Sequence, residues 1–137
     1  MDDTRSCKLT SQADDQLSGS VRSTPQAVIF CTRGDSTGLH LLFLFGQTLD
    51  AHQDVSGDVE IRLRLDKEPP RTEKWFSSKD FSTIFTVKDD AERVAELARH
   101  QTLLLQVPLY SGGPGDVQFT LAGLARQLRW LKQRCGI

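Results

Sequence analysis

Asp58-Val-Glu-Ile-Arg-Leu-Arg-Leu-Asp66, running on as Lys67-Glu-Pro-Pro-Arg-Thr-Glu-Lys-Trp75, is the stretch whose reading decides the fold. Val59, Ile61, Leu63 and Leu65 alternate with Glu60, Arg62, Arg64 and Asp66. That is the two-residue period of a strand with one face in a core and the other in water. Pro69-Pro70 ends the strand, because neither residue can donate to a ladder, and Trp75 opens the next extended run. The pattern predicts an antiparallel β scaffold with a charged outer face. None of these residues is of a kind and setting suited to bond-breaking chemistry.

On the N-terminal side, Ala27–Thr32 reads as a strand, Arg33–Gly38 as its turn and Leu39–Phe45 as the returning strand. This second arm is apolar on both faces, so it belongs centrally in the sheet or under cover on both sides. Gly46–Gly57 is a polar connection. On the C-terminal side, Lys74–Ser77 and Ser82–Val87 read as two short strands around a Ser-Lys-Asp turn. Asp89 and Asp90 then precede Ala91, Val94, Ala95, Leu97 and Ala98, which share a helical face with the acids at its favourable N-terminal end. Thr102–Leu109 returns to strand, Ser111-Gly-Gly-Pro-Gly115 turns the chain, and Asp116–Leu121 completes a hairpin. Leu121, Leu124, Ala125, Leu128, Leu131 and Cys135 recur at helical spacing and predict a closing amphipathic helix. The class is α+β: a mostly antiparallel sheet or sandwich with two helices, the second C-terminal. Residues 1–24, rich in Ser, Asp, Gln and Thr, read as a mobile lead-in with a weak edge strand at Gln16–Val21, and residues 25–137 as a single β-rich domain.

The chain has 137 residues, enough for one core. With 17 basic and 18 acidic residues its formal charge is −1, so no bulk attraction to nucleic acid or anionic lipid is expected. The longest apolar run, Leu41–Phe45, is far short of the roughly 20 residues that span a bilayer, and no membrane insertion is expected. The opening Met-Asp-Asp-Thr-Arg has no basic start leading into an apolar stretch. The expectation is a cytoplasmic protein, or one whose export signal was removed and replaced by a start Met. Cys7, Cys31 and Cys135 are too few and too scattered for a disulfide framework or a zinc site. Composition leaves two readings: one pair plus a free thiol in an oxidising compartment, or three idle thiols in the cytosol.

With Leu121 at zero and about 100° per residue, the apolar residues of the last helix cluster near about 330°, whereas Trp130 falls near about 180°. Trp130 therefore points away from the core, with Arg126 and Arg134 on its side, as a partner-binding patch. The competing reading is that a wide core, or the N-terminal segment folded back, covers it. Arg126, Arg129, Lys132 and Arg134 form an unbalanced basic cluster, which suits the negative end of the helix dipole. Nucleic-acid binding is not favoured, because the interleaved aromatics of a stacking platform are missing. Ser111–Gly115 runs into a strand rather than a helix, so it is a turn and not a phosphate cradle. His40, His52 and His100 lie on separate elements without a second ligand at metal spacing, and neither a metal nor a cofactor is expected. No Gly-x-Ser-x-Gly elbow exists, and the apolar surroundings of Cys31 disfavour a thiolate. Asp89-Asp90 and Asp14-Asp15 are explained by a helix start and a polar tail, which leaves no positive case for an enzyme.

From Val28 onward the order of features resembles the type VI secretion-associated accessory family named VasI or TagO. The residues that carry it are the strand ending at Cys31, the Arg64-Leu-Asp66 strand end, and Pro69-Pro70 leading to Trp75 and Ser77. The Leu103–Tyr110 strand with its Gly-Pro turn, Phe119-Thr-Leu-Ala-Gly-Leu124 and the closing Cys135-Gly136 complete the series. The chain ends in Ile137 where that family has an aromatic residue. The resemblance implies an envelope-facing, non-enzymatic accessory domain of a bacterial contractile secretion apparatus. It also implies pairing of Cys31 with Cys135, with Cys7 left free, and makes Trp75 the most characteristic position. Trp75 then either packs beneath the Pro-Pro turn or lines a shallow partner-binding groove. The first expectation is thus a protein-binding accessory module. The alternatives are a cytoplasmic adaptor or inhibitor from a mobile element, with reduced cysteines, and a small hydrolase acting on cell wall or nucleotide. The last requires a deep pocket in which a His meets an acid or a thiol.

Overall fold

In the computed structural model the alternating stretch forms a strand that buries Val59, Ile61, Leu63 and Leu65 and exposes Glu60, Arg62 and Arg64. The structure describes residues 6–14, 24–32, 38–46, 49, 58–78, 82–85, 90–109 and 113–136. In chain order the elements are β1 (Ser6–Gln12), β2 (Gln26–Thr32), β3 (His40–Leu44), β4 (Asp58–Leu65), β5 (Arg71–Ser77), β6 (Thr83–Phe85), α1 (Asp90–Ala98), β7 (Thr102–Leu109), β8 (Gly113–Thr120) and α2 (Leu124–Cys135). The strands make one antiparallel sheet in the order β1-β2-β3-β6-β5-β4-β7-β8. The fold is α+β and β-rich, with the second helix C-terminal.

The sheet curls until its two edges nearly meet. Beyond β1, Asp14 donates its backbone N–H to the Gln118 carbonyl of β8 at 2.8 Å. The Asp14 carboxylate also accepts from Gln118 Nε2 at 3.0 Å and from Thr120 Oγ1 at 3.0 and 3.1 Å. Edge groups that would otherwise be open to another chain are partnered here. Curling turns the inner faces of the strands toward one another, so Phe43 stacks on Trp75 with ring centroids 5.4 Å apart and meets Phe119 at 5.6 Å. Val94 and Leu97 of α1, with Leu128 and Leu131 of α2, join the same core. Each such side chain contributes roughly 1.5–3 kcal/mol of hydrophobic stabilisation.

Most element types match the sequence pattern, and the differences have physical causes. Within the stretch read as a lead-in, Ser6–Gln12 is strand β1, paired with β2 over seven positions from Ser6↔Thr32 to Gln12↔Gln26. Its polar sequence hides the strand, because pairing at a sheet edge is made by backbone groups and needs few apolar side chains. The Gln16–Val21 edge strand lies outside the described residues, as does most of the Gly46–Gly57 connection. Gly113, Pro114 and Gly115, read as turn, are already in β8: Pro114 sits opposite Pro108, so neither leaves a donor without a partner there. Apolar residues on both faces of β3 agree with its central place between β2 and β6. Among the described residues β6 pairs with Phe43 and Leu44 of β3, and the Leu41 N–H is taken by Asp90 Oδ2 at 3.1 Å. An acid placed for the helix start therefore also accepts a backbone N–H of the sheet.

Asp66, at the end of β4, holds a left-handed backbone with φ 51°, a conformation that Asp tolerates better than most residues. Its carboxylate accepts the Gln101 N–H at 2.8 Å, the Thr102 N–H at 2.9 Å and His100 Nδ1 at 3.0 Å. The turn between β4 and β5 is thereby latched to the connection between α1 and β7. The Thr102 N–H, then His100 and the Gln101 N–H, pull the Asp66 pKa down from 3.8 to about 2. A depressed folded-state pKa adds stability in full above 3.8 and loses it as pH falls through about 2. Asp66→Asn should lower the melting temperature at neutral pH, and it should flatten the acid limb of a stability-versus-pH profile between those two values. A variant that keeps the wild-type acid limb would remove Asp66 as its source.

Candidate functional site

Helix α2 buries Leu128, Leu131 and Cys135, a spacing of three and four residues that seats one side of it across β1 and β2 and beside α1. Gly123 enters the helix and Gly136 leaves it, both at positive φ, and the Gly136 N–H caps the Lys132 and Gln133 carbonyls. Cys135 is joined to Cys31 of β2 by a disulfide, with Cα atoms 6.2 Å apart, as the family resemblance implied. The helix is therefore bolted to the sheet. The Cys7 side chain lies outside the described part of the structure.

The opposite face carries Arg126, Trp130 and Arg134, spaced i, i+4, i+8 along one stripe. Trp130 is 47% exposed, so among the described residues neither the core nor a folded-back segment covers it. The Arg134 guanidinium lies over its ring, 5.5 Å from the centroid. Arg129 and Lys132 are exposed as well, and the helix contains no acid. The stripe is positively charged and centred on an exposed indole.

Trp75 is not part of any such surface. It is 1% exposed, and the register Val59↔Trp75 places it on the inner face of the sheet, where Phe43 covers one side. Of the two places the sequence leaves open for it, core or partner-binding groove, its burial is that of a core residue. The same register puts the next residue outside: Phe76 lies opposite Phe85 of β6, and both are exposed.

Behind Trp75 is a cluster that the sequence reading missed. Arg93 of α1 is 2% exposed and ion-pairs with Glu73 of β5 and with Glu96 at 3.0 Å, while its guanidinium sits 5.9 Å from the Trp75 ring centroid. Trp75 Nε1 donates to Glu73 at 2.9 Å, and Arg71 pairs with Glu96 at 3.2 Å. Arg93 Nε alone has no hydrogen-bond partner among the described residues. The helical pattern places Ala91, Val94, Ala95, Leu97 and Ala98 on the buried face; Val94 and Leu97 are buried, yet Ala91 and Ala95 are exposed and Arg93 is inside. The only hint in the sequence was that Arg93 precedes Glu96 by three residues. The cluster ties α1 to β5, with Arg71 at its exposed end.

His40 is half-buried on the outer face of β3, its ring 5.1 Å from Phe30, and His52 lies outside the described residues. His100 contacts Asp66 and, more distantly, Glu68 at 3.8 Å. Among the described residues no three His, Cys, Asp or Glu side chains come together as a metal site. A cavity of about 50 Å³ lies under the β1–β8 seam between Ile29, Phe43, Phe119 and the start of α2. Ligand pockets usually run from about 300 Å³ upward, so this one is small. A second hollow, of about 190 Å³, is on the outside of β4 and β7. His100 lines neither. No helix among the described residues is long and apolar enough to cross a membrane. Comparisons with protein-family models, curated proteins and solved structures return no match to this chain.

Two outcomes test this arrangement. Denatured without reductant, the protein should titrate as one reactive thiol per chain, and Cys135→Ser should lose about 4–5 kcal/mol by denaturant unfolding, the chain-entropy value for a loop of this length. Three reactive thiols would refute the pairing. Arg93→Ala should cost about 3 kcal/mol, because it leaves Glu73 beside the core with no cation and Glu96 with Arg71 alone. A loss below about 1 kcal/mol would show that these pairs behave as exposed surface pairs.

Proposed function

We propose that the protein is a non-enzymatic, protein-binding accessory module whose principal contact surface is the outer stripe of α2. The observation that carries the reading is Trp130, exposed beneath the Arg134 guanidinium on a helix bolted to its sheet. A rigid, preordered anchor loses little conformational freedom on binding, which is what an interaction surface requires. Arg126, Arg129, Lys132 and Arg134 give the surface one sign of charge, so its partner presents acidic groups.

Its proposed place is the bacterial envelope, as an accessory part of a type VI secretion apparatus. This rests on the ordered features shared with that family, to which the Cys31–Cys135 bond adds support. Disulfides persist in oxidising compartments, which favours the envelope over the cytoplasmic adaptor reading. The hydrolase reading has little behind it. The contact of His100 with Asp66 lines neither of the two cavities described, and backbone N–H groups already occupy the carboxylate.

The test is affinity capture from an extract of the source cells, comparing the intact protein with Trp130→Ala and Arg126→Ala. Trp130→Ala should weaken capture of the specific partner by at least about tenfold, as expected for an aromatic anchor worth about 2 kcal/mol. Arg126→Ala should weaken it less, and more so at low salt. Equal capture by all three proteins would move the interface away from α2.

A further inference from the structure

The outer face of β4 holds two arginines that the contact surface on α2 does not use. Arg62 and Arg64 alternate with buried Ile61, Leu63 and Leu65, so both guanidiniums leave the sheet on the same side, about 7 Å apart along the strand. The register sets Arg62 between Thr72 of β5 and Gln106 of β7, and Arg64 opposite Leu104. Among the described residues neither arginine forms an ion pair. Both line the outer hollow of about 190 Å³, together with Pro70, Leu104, Gln106 and Asp116.

The composition of this hollow specifies what it can take. Its floor is Leu104, an aliphatic residue left 38% exposed in mid-strand, and Pro70 forms a second apolar wall. Its rim is asymmetric in charge: two free guanidiniums face one carboxylate, Asp116, which accepts from Gln106 Nε2 at 3.2 Å. Two like charges side by side gain from an anion placed between them, and guanidinium geometry matches a carboxylate's two oxygens. The nearby Asp116 opposes a doubly charged phosphate, while the apolar floor and wall suit aliphatic neighbours. The volume is below that of a cofactor pocket, about 300 Å³ and upward, and is suited to one or two side chains. The hollow is also preformed. Three of its walls come from paired strands, and the turn carrying Pro70 is the one latched by Asp66.

We propose that the hollow is a carboxylate-binding site that receives an acidic side chain flanked by aliphatic residues, presented by a partner polypeptide. The site is separate from the α2 stripe and stands whether or not that stripe is the main interface.

The probe is the blocked peptide acetyl-Gly-Leu-Glu-Leu-Gly-amide, titrated into the full-length protein while backbone amide shifts are followed by NMR. Saturable shifts confined to the amides around Arg62, Arg64, Leu104 and Gln106 are expected, with a Kd in the range of about 1 mM, typical of a single anchored side chain. The same peptide with Gln in place of Glu, and the Arg62→Gln/Arg64→Gln double variant, should each weaken binding by at least about tenfold, and salt should weaken it further. The double variant changes only outward side chains, so its melting temperature serves as the check on folding. Trp130→Ala should bind the peptide like the wild type, which separates this site from the α2 surface. Absence of saturable shifts, equal binding of the Gln peptide, or undiminished binding by the folded double variant would each overturn the proposal. Tighter binding of inorganic phosphate than of the peptide at the same amides would overturn it in favour of a phosphate site.

Discussion

The junction between β1 and β8 is the constraint from which the rest of this structure follows. An eight-stranded sheet has two edges, and leaving both open would expose rows of backbone donors and acceptors and split the apolar inner face between core and solvent. Asp14 draws the edges together with its own N–H and with a carboxylate that Gln118 and Thr120 fill. With the sheet curled, inner residues far apart in sequence, such as Phe43, Trp75 and Phe119, become one another's packing partners. The helices then cover the remaining apolar surface: α1 with Val94 and Leu97, and α2 with Leu128 and Leu131.

Two covalent or ionic ties hold those helices in place, and they differ in character. The Cys31–Cys135 bond joins residues 104 positions apart in sequence and acts by restricting the unfolded chain. It leaves the outer face of α2 free, so the basic stripe around Trp130 rests on a support that partner binding need not reorganise. The Arg93 cluster is less economical, because a buried guanidinium must recover its hydration from Glu73, Glu96 and the face of Trp75, with Nε left over. Such a cluster contributes more to fixing one position for α1 on β5 than to net stability.

The two surfaces proposed for binding share a design. Each places arginines beside an exposed apolar residue on a rigid element: Arg126 and Arg134 with Trp130 on α2, and Arg62 and Arg64 with Leu104 on the sheet. They lie on different elements and differ in form, one being a convex stripe and the other a small hollow. Under the proposed reading, a partner with acidic and aliphatic character at two points would meet both.

The alternation of Asp58–Leu65, the apolar faces of Leu39–Phe45 and the helical spacing from Leu124 to Cys135 determine strands, helices and the outward direction of Arg62, Arg64 and Trp130, because those depend only on periodicity along the chain. Periodicity also leaves open where a residue of the inner face ends up, and so Trp75 was legible as a candidate for either core or groove until the Val59 register placed it inside. It was silent on Ser6–Gln12, whose pairing is made by the backbone, and on Arg93, whose burial depends on Glu73 being delivered from another strand. Local pattern decides which way a side chain faces. What it meets there is decided by strand order and by the closing of the sheet, since both bring together residues that share no period.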